Sequence, residues 1–436
     1  MRLTNNSNKL MSFFIKNNCL KPVSQTRQTD NVFKGIYEQM HDGFQKVRKE
    51  KPLSVKTKQI GSVKQIPMPQ TFAPNSFPSQ VREWINHHTL YLIEFSCHWI
   101  GRQIKLVFLT EHSNLDQQTM ALYNRYAEYM LVWLYILDQY ASRNCASELT
   151  TYVYHTSLVK MLPQTAVQVL DENHVNTAFT TTCPSVSEIV IFRKEEWFKV
   201  FIHETFHNFG MDFSDMDQTD ANERILGLFP VDSEVRLYEA YCEFWARTMN
   251  ALFCAWTRTH PTTRTYPTTK TRNNHTSVND ALDEFLTNTE FFISLERIYS
   301  FFQMVKVLDF MDLEYSFMYS KAKGAQAIRN ALYKENTSVL SYYIITLILM
   351  NNYQTFLQWC ITNNDGKLIQ FKKDQQNVQH FCDFIESKYR SKSLLEGIHC
   401  TERLLSMVRR TIRTNKKQKD LAYLLVNLRM TICELG

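Results

Sequence analysis

The chain has 436 residues, of which 44% are hydrophobic, so it is long enough for two or three domains with cores of their own. Only ten residues are glycine, which favours long helices over a turn-rich β architecture. The net charge is +6, and the longest apolar runs are too short to cross a bilayer. Residues 1–20 also lack the continuous apolar segment of a signal peptide. These features exclude a membrane-spanning protein and predict a globular one.

The first part of the chain is basic and rich in proline. Residues 1–65 hold thirteen Lys or Arg against four Asp or Glu, and residues 51–80 hold five of the eleven prolines. This composition predicts a basic N-terminal extension and a poorly ordered linker over residues 1–80, separable from the rest. A helix is expected at 31–48, with an apolar stripe that could dock on the core. The extension could contact an acidic partner, an anionic membrane or nucleic acid, or only add solubility. No nucleic-acid-binding motif accompanies the charge, so nucleic acid is not favoured as a partner.

The next stretch, residues 81–257, alternates strand and helix patterns. A hairpin is expected from two β-rich segments at 90–97 and 103–110, joined at Gly101-Arg102. A long helix follows from Ser113 to about Tyr140, opened by Ser113-x-x-Asp116. Three further strands are expected at 149–156, 174–181 and 188–192. This order predicts an α+β fold in which one long helix packs on a mixed sheet. A second helix follows, and it contains the candidate functional residues.

That second helix contains His-Glu-Thr-Phe-His at residues 203–207. Two histidines four apart lie on one face of a helix, so His203 and His207 can reach the same metal ion. Glu204 beside them is placed to accept a proton from a metal-bound water. The alternative is a solvated surface helix, but the surrounding residues are apolar and argue for burial. They are Trp197, Val200, Phe201, Ile202, Phe206 and Phe209.

A third ligand is expected on the later helix that contains Glu239 and Glu243. These two glutamates are four apart and share one face, where their charges repel unless a positive group lies near them. The repulsion would be removed if one glutamate bound a metal ion and the other accepted a hydrogen bond from a metal-binding imidazole. The alternative is an amphipathic helix with two exposed glutamates. Ser233 is the expected N-cap of this helix.

Together the two motifs resemble the gluzincin group of zinc metallopeptidases, which combine His-Glu-x-x-His with a ligand glutamate on a later helix. The resemblance implies a zincin-like sheet and active-site helix, with one Zn²⁺ bound by His203, His207 and Glu239. It also implies that Glu204 is the general base, and that Glu243 stands where thermolysin-like members have an aspartate that orients the first histidine. Residues 195–214 are also similar to uncharacterised zincin-like proteins of large cytoplasmic DNA viruses.

Two further sets of residues complete the predicted site. A metzincin pattern fails because Phe213 stands where its third ligand should be, but Asp212 remains an alternative ligand. One short strand separates the motif helix from an earlier strand, which the resemblance to zincins implies is an edge that pairs with an extended peptide, although an ordinary interior strand fits the sequence equally well. Its residues are Asn176, Thr177, Ala178 and Phe179. Candidates for a donor to the substrate oxyanion are His260, His275, Tyr238 and Tyr241.

Residues 258–280 hold many threonines with two prolines and predict a linker or a flap near the site. Residues 281–436 predict a nearly all-helical C-terminal domain, because apolar residues recur at helical spacing. They do so at 291–308, 339–359, 381–389 and 394–412. Ten scattered cysteines without a Cys-x-x-Cys pair predict reduced thiols and a cytoplasmic location, in a host cell or a virus particle.

Two functions follow as hypotheses. The first is a zinc-dependent peptidase, an endopeptidase, in which Glu204 takes a proton from a metal-activated water that attacks the peptide carbonyl. The second is a structural or binding protein, for example of a virus particle, that keeps a zincin fold without catalysis. The intact Glu204 argues against the second hypothesis, because a structural metal site needs no base.

Overall fold

The computed structural model describes residues 1–73, 76–261, 278–414 and 419–436. Its strands are β1 (Ser54–Gln59), β2 (Tyr91–Trp99), β3 (Arg102–Thr110), β4 (Glu148–His155), β5 (Ala178–Thr180) and β6 (Val186–Ile191). Its N-terminal and central helices are α1 (Asn5–Asn17), α2 (Arg27–Glu50), α3 (Ser79–His88), α4 (Gln117–Asp138), α5 (Glu172–Val175), α6 (Trp197–Asn208), α7 (Thr219–Leu228) and α8 (Leu237–Thr259). The C-terminal helices are α9 (Val278–Phe310), α10 (Tyr315–Tyr319), α11 (Lys323–Leu332), α12 (Thr346–Asn351), α13 (Tyr353–Asn363), α14 (Gln375–Lys388), α15 (Lys392–Thr414) and α16 (Lys419–Val426). None of the helices in the described ranges is long and apolar enough to cross a membrane.

The strands form one mixed sheet in the order β1-β2-β3-β4-β6-β5. The β3-β4 and β4-β6 pairs are parallel and the other pairs are antiparallel. The predicted hairpin is β2-β3, whose turn contains Ile100 and Gly101, both at positive φ. The predicted α+β class is confirmed. Since β5 is the last strand in the order, no strand of the described residues pairs with its outer edge.

Side chains of the sheet alternate between two apolar layers. Leu106, Phe108 and Ile189 face the main core, while Val107 and Tyr154 face a smaller cluster that also contains Phe77 of the preceding segment and Ile85 of α3. On the main face lies α4, which is buried over most of its circumference and begins after the N-cap Asp116 rather than at Ser113. The Asp116 side chain accepts from Thr119 N, so the cap is three residues later than expected.

The N-terminal residues are part of the fold, so the prediction of a separable extension is wrong. Phe14 of α1 is fully buried against Tyr299 and Phe302 of α9. In α2 the apolar stripe docks on α4 and α9, whereas the lysines and arginines of residues 1–65 lie on exposed surface, apart from the half-buried Lys46. The basic residues therefore lie on the outer face of helices whose inner face belongs to the core. The amino-acid composition of residues 1–65 does not distinguish these two faces, so it indicates only the charge.

The proline-rich stretch is also more ordered than predicted. Every residue of β1 pairs with a residue of β2, and the side chain of Phe77 is buried. The backbone N–H groups of Gln70 and Thr71 donate to the Glu188 carboxylate of β6 at 2.8 and 2.7 Å. Backbone groups bound in this way are fixed by the sheet, so the expected disorder is not found in the described part of 51–80.

The predicted C-terminal helices are confirmed as α9, α12 with α13, α14 and α15. A π-helical turn at Leu340–Ile345 leads directly into α12. One apolar cluster holds side chains from Met1 to Leu435, so residues of 1–80, 81–257 and 281–436 share a core; the domain boundaries themselves stay a prediction. Most of the predicted 258–280 linker lies outside the described residues.

The last ten residues form a C-terminal segment (427–436) that runs through the core. Glu196, at the start of α6, accepts hydrogen bonds from the backbone N–H groups of Met430 and Thr431 at 2.6 Å each. Lys160 Nζ also forms an ion pair with Glu196 Oε2 at 2.9 Å, and the backbone carbonyl of Lys160 accepts a hydrogen bond from Leu428 N. The C-terminal segment therefore holds the first turn of the helix that carries the motif.

Four of the ten cysteines form disulfides, which corrects the prediction that all are reduced. The pairs are Cys19–Cys400 and Cys145–Cys183, and the other six cysteines are buried free thiols. Cys183 N donates to His207 O at 3.2 Å, so the second disulfide lies at the end of α6. The cytoplasmic location stays a prediction.

Candidate metal centre

The helix α6 is buried at every residue, as its apolar neighbours predict. It ends before Gly210, whose φ of +63° is the left-handed conformation that glycine adopts at low cost. Trp133 of α4 donates its indole N–H to Thr205 Oγ1 at 2.7 Å. Asn208 binds both neighbouring strands, since its amide donates to Thr180 Oγ1 and its carbonyl accepts from Ser187 Oγ. These bonds fix α6 against the sheet.

Three side-chain atoms of α6 and α8 converge at one point. His203 Nε2 lies 3.0 Å from Glu239 Oε2 and 3.3 Å from His207 Nε2, and His207 Nε2 lies 3.5 Å from the same carboxylate oxygen. Ligands at about 2.0–2.1 Å from a tetrahedral metal are about 3.3 Å from one another, so these atoms have the spacing of one face of such a site. His203, His207 and Glu239 therefore form a group that can hold a metal ion.

Each histidine contacts a second carboxylate through its other ring nitrogen. His203 Nδ1 lies 3.2 Å from Glu243 Oε2, and His207 Nδ1 lies 2.5 Å from Asp212 Oδ2. A carboxylate on the outer nitrogen fixes the tautomer and ring orientation of a metal-binding histidine. Glu243 is thus placed to orient His203, and Asp212 is placed to orient His207.

Glu243 is surrounded by positive charge, which removes the repulsion expected between the two glutamates of α8. Its carboxylate accepts from Lys199 Nζ at 2.9 and 3.0 Å and from Arg247 Nε at 2.8 Å. Burial alone would raise the pKa of Glu243, but the charges of Lys199 and Arg247 hold that pKa well below its ordinary value. Glu243 is therefore an anion at neutral pH.

Asp212, the alternative ligand, lies on the side of His207 that faces away from Glu239. With His207 and Cys242 it forms a second buried group, in which Cys242 Sγ lies 3.4 Å from Asp212 Oδ2. Burial raises the pKa of the Cys242 thiol well above its ordinary value. The group with Glu239 is the better candidate for a metal centre, because it uses both histidines of one helical turn and because His203 adjoins the cavity that Glu204 lines.

A cavity of about 40 Å³ adjoins the metal centre, with His203, Glu204, Thr177, Ala178 and Tyr342 in its wall. Glu204 is only 8% exposed, and within the described chain no side chain or backbone group donates a hydrogen bond to its carboxylate. Burial raises the pKa of Glu204 above its ordinary value. A carboxylate of raised pKa with free lone pairs can accept a proton from a neighbouring water.

Strand β5 lies at the sheet edge beside this cavity. The Thr177 carbonyl accepts from Phe192 N at 2.9 Å, so the backbone groups of Thr177 point toward β6. Alternation along an antiparallel strand then turns the N–H and C=O of Ala178 toward the free edge. Asn176, Thr177 and Ala178 line the cavity, whereas the ring of Phe179 packs against Phe72 and Phe77 in the smaller core.

Tyr342, on the π-helical turn, is a site residue that no sequence pattern indicated. Its hydroxyl donates to Glu239 Oε2 at 3.0 Å. Tyr342 lies 103 residues after Glu239, and its only local signal is an apolar helical stretch. A π-helical turn at a functional site is common, because the wider turn re-aims a side chain.

Among the donors considered from the sequence, Tyr238 is near the metal centre, with its ring 5.8 Å from that of His207. The Tyr241 hydroxyl instead donates to a carbonyl at 3.2 Å, and the His260 ring stacks on Trp256 at 3.9 Å. His275 lies outside the described residues. Ser233 does not cap α8, since its hydroxyl binds Glu335 Oε1 at 2.7 Å and the N-cap position is Arg236.

No family model, curated protein or solved structure matches the chain.

Proposed function

We propose that the protein is a zinc-dependent peptidase. The observation that carries the proposal is the convergence of two imidazole nitrogens and one carboxylate oxygen next to a buried glutamate, Glu204, whose carboxylate accepts no hydrogen bond from the described residues. This combination is the donor set of a catalytic zinc site, which has three protein ligands and leaves one position open. The resemblance of both motifs to gluzincins supports the same reaction class.

The donor atoms suit zinc by type and by spacing. Imidazole nitrogen and carboxylate oxygen are common zinc ligands, and the separations of 3.0–3.5 Å match a tetrahedral ion. His203, His207 and Glu239 would hold the ion, with Glu243 and Asp212 on the outer nitrogens. When bound, zinc lowers the pKa of a water toward about 7 and polarises a substrate carbonyl.

The remaining residues have separate tasks in this proposal. Glu204 accepts the proton of the attacking water and returns it to the leaving amine. The outward N–H and C=O of Ala178 pair with the backbone of an extended peptide, which gives affinity without a sequence requirement. The Tyr342 hydroxyl, which donates to Glu239 Oε2 in the structure, would turn to donate a hydrogen bond to the negative charge that develops on the substrate oxygen.

Replacing Glu204 with Gln tests the proposal. The amide is close in shape but cannot act as a base, so Glu204→Gln should retain its metal and lose peptide hydrolysis by about 10²–10⁴-fold. Glu223→Gln, at an exposed glutamate of α7, is the matched control and should cleave as the parent does. Equal cleavage by Glu204→Gln and the parent in a broad peptide library would refute the mechanism.

A second function, a structural or binding protein with a non-catalytic metal centre, is favoured by the size of the cavity. A cavity of about 40 Å³ holds a few waters and is too small for an extended peptide, so catalysis would require the cleft to open. A parent protein that binds metal and cleaves nothing across the library would support this second function. In this second function the protein would lie in the virus particle or the host cytoplasm, as its resemblance to viral zincin-like proteins implies.

A further inference from the structure

A segment that we call the strap (residues 156–177) connects β4 to β5 and lies beside the metal centre. Both of its ends line the cavity at the metal centre, with Lys160 near one end and Asn176 near the other. The middle of the strap, residues 164–169, is exposed, and Val167 there is 77% exposed. The strap therefore forms part of the cavity wall at its ends and is open to solvent between them.

The start of the strap is bonded to the end of the chain. Leu162 N donates to the carbonyl of Val426, the last residue of α16, at 2.7 Å. Leu428 N of the C-terminal segment donates to the Lys160 carbonyl at 2.9 Å. Because the C-terminal segment also holds the first turn of α6, this end of the strap is fixed to the helix that carries the motif.

The other end of the strap is bonded to a second segment, which we call the latch (residues 334–337). Leu170 forms two backbone hydrogen bonds with the latch, in which its N–H donates at 3.3 Å and its carbonyl accepts at 2.8 Å. The Thr337 hydroxyl donates to Asn176 Oδ1 at 3.0 Å. The latch leads into the π-helical turn that places Tyr342 in the cavity wall. These bonds therefore join two parts of that wall.

The contacts between strap and latch are few. They comprise the three hydrogen bonds and the buried side chain of Leu170, and the net contribution of one hydrogen bond changes an equilibrium only about twofold to tenfold. Segments with few buried contacts open locally while the rest of a protein stays folded. The cavity of about 40 Å³ is too small for an extended peptide, so a peptidase with this fold needs such an opening.

We propose that the strap is a lid that opens at the latch and admits a peptide to the metal centre. In the closed state the three bonds join strap and latch. In the open state the end of the strap moves away from the latch, while the bonds of Lys160 and Leu162 act as the hinge. The nature of the ligand rests on the proposed peptidase function, whereas the motion does not.

Hydrogen exchange tests the motion without metal or substrate. The amide protons of Leu170 and Asn336 make the two backbone bonds to the latch, so they should exchange through a local opening and faster than those of β6. Thr337→Val has the same shape without the hydroxyl and should speed both amides about twofold to tenfold, whereas Thr337→Ser should match the parent. Exchange of both amides only with global unfolding would show that the strap is a rigid tether and would overturn the proposal.

Peptide cleavage tests whether the opening controls access. Thr337→Val should raise kcat/KM about twofold to tenfold, because a larger fraction of the protein is open to the peptide. Thr337→Ser should match the parent. Thr411→Val, which removes a hydroxyl bonded to a carbonyl within α15, is the matched control and should also match it. An unchanged or lower kcat/KM in Thr337→Val would overturn the proposal.

Zinc release separates failure of the lid from failure of the peptidase proposal. If the parent cleaves no peptide, the rate at which excess chelator removes zinc from the loaded protein is compared among the parent, Thr337→Val and Thr337→Ser. Release that is about twofold to tenfold faster in Thr337→Val alone supports the lid even without cleavage. Equal rates in all three proteins overturn the lid. A parent that takes up no zinc overturns both proposals, because the lid then covers no metal centre.

Discussion

Glu335 connects the loop before α8 to the turn that carries Tyr342. Because its carboxyl is buried, we expect the free energy of unfolding to depend on pH through this residue. Its carboxylate accepts from Ser233 Oγ at 2.7 Å, from the Tyr333 hydroxyl at 2.6 Å, and from the backbone N–H of Val339. Burial raises the pKa of Glu335 from its ordinary 4.5 to about 7, although these hydrogen bonds oppose the rise. The carboxyl is therefore part-protonated in the folded protein near neutral pH.

The magnitude follows from the two pKa values. The difference between 4.5 and about 7, at about 1.4 kcal/mol per tenfold change in proton affinity, sets an upper limit of about 3 kcal/mol. Glu335 is only partly buried by surface area, so solvent screening reduces the expected effect to about 2 kcal/mol. Because the folded pKa is the higher one, this stability is complete below about pH 4.5 and is lost as the pH rises to about 7.

Urea unfolding of the parent and of Glu335→Gln at pH 5 and pH 8 measures the effect. Gln keeps a carbonyl acceptor but does not ionise, so the variant should gain about 2 kcal/mol relative to the parent between the two pH values. Glu83→Gln, at an exposed glutamate of α3, is the control and should show no comparable gain. A difference between Glu335→Gln and the parent that is the same at both pH values would refute the reasoning.

Three further changes have expected outcomes. Phe14→Ala should lower the free energy of unfolding by about 3–5 kcal/mol, because the ring is fully buried against α9. An unfolding curve like the parent's would show that the N-terminal residues are a loose extension and not part of the core. Asp212→Ala should retain the metal with about tenfold to a hundredfold lower affinity by metal titration, and complete loss of metal while Glu239→Ala keeps it would make Asp212 the third ligand. Tyr342→Phe should keep the metal and lower kcat in the peptide assay, and an unchanged kcat would remove its role at the substrate oxygen.

Sequence patterns were most informative where the contacts are local. Alternation and helical spacing predict β2-β3, α4 and the long C-terminal helices, because each pattern reports which face of one element is buried. The spacing of His203 and His207 likewise places both rings on one turn of helix. Glu239 then completes the group from a helix that shares the same apolar character.

Contacts between distant segments could not be predicted. Tyr342 reaches Glu239 across 103 residues, and Cys19 pairs with Cys400 across 381 residues. Such pairs depend on the tertiary arrangement, which no local spacing encodes. The basic composition of residues 1–65 was misleading for another reason: the charge lies on solvent-facing surfaces, while Phe14 and the stripe of α2 are core.

Metal content tests the central claim most directly, because the contacts of His203, His207 and Glu239 could also be hydrogen bonds of a metal-free protein. Elemental analysis should find one zinc per chain in the parent and in the control His98→Ala, whose exposed histidine lies on β2. His207→Ala should lose most of the zinc and melt at a lower temperature, since metal binding adds to the free energy of folding. Glu239→Gln serves the same purpose if His207→Ala does not fold. A parent without zinc, or undiminished zinc in His207→Ala, would contradict the account.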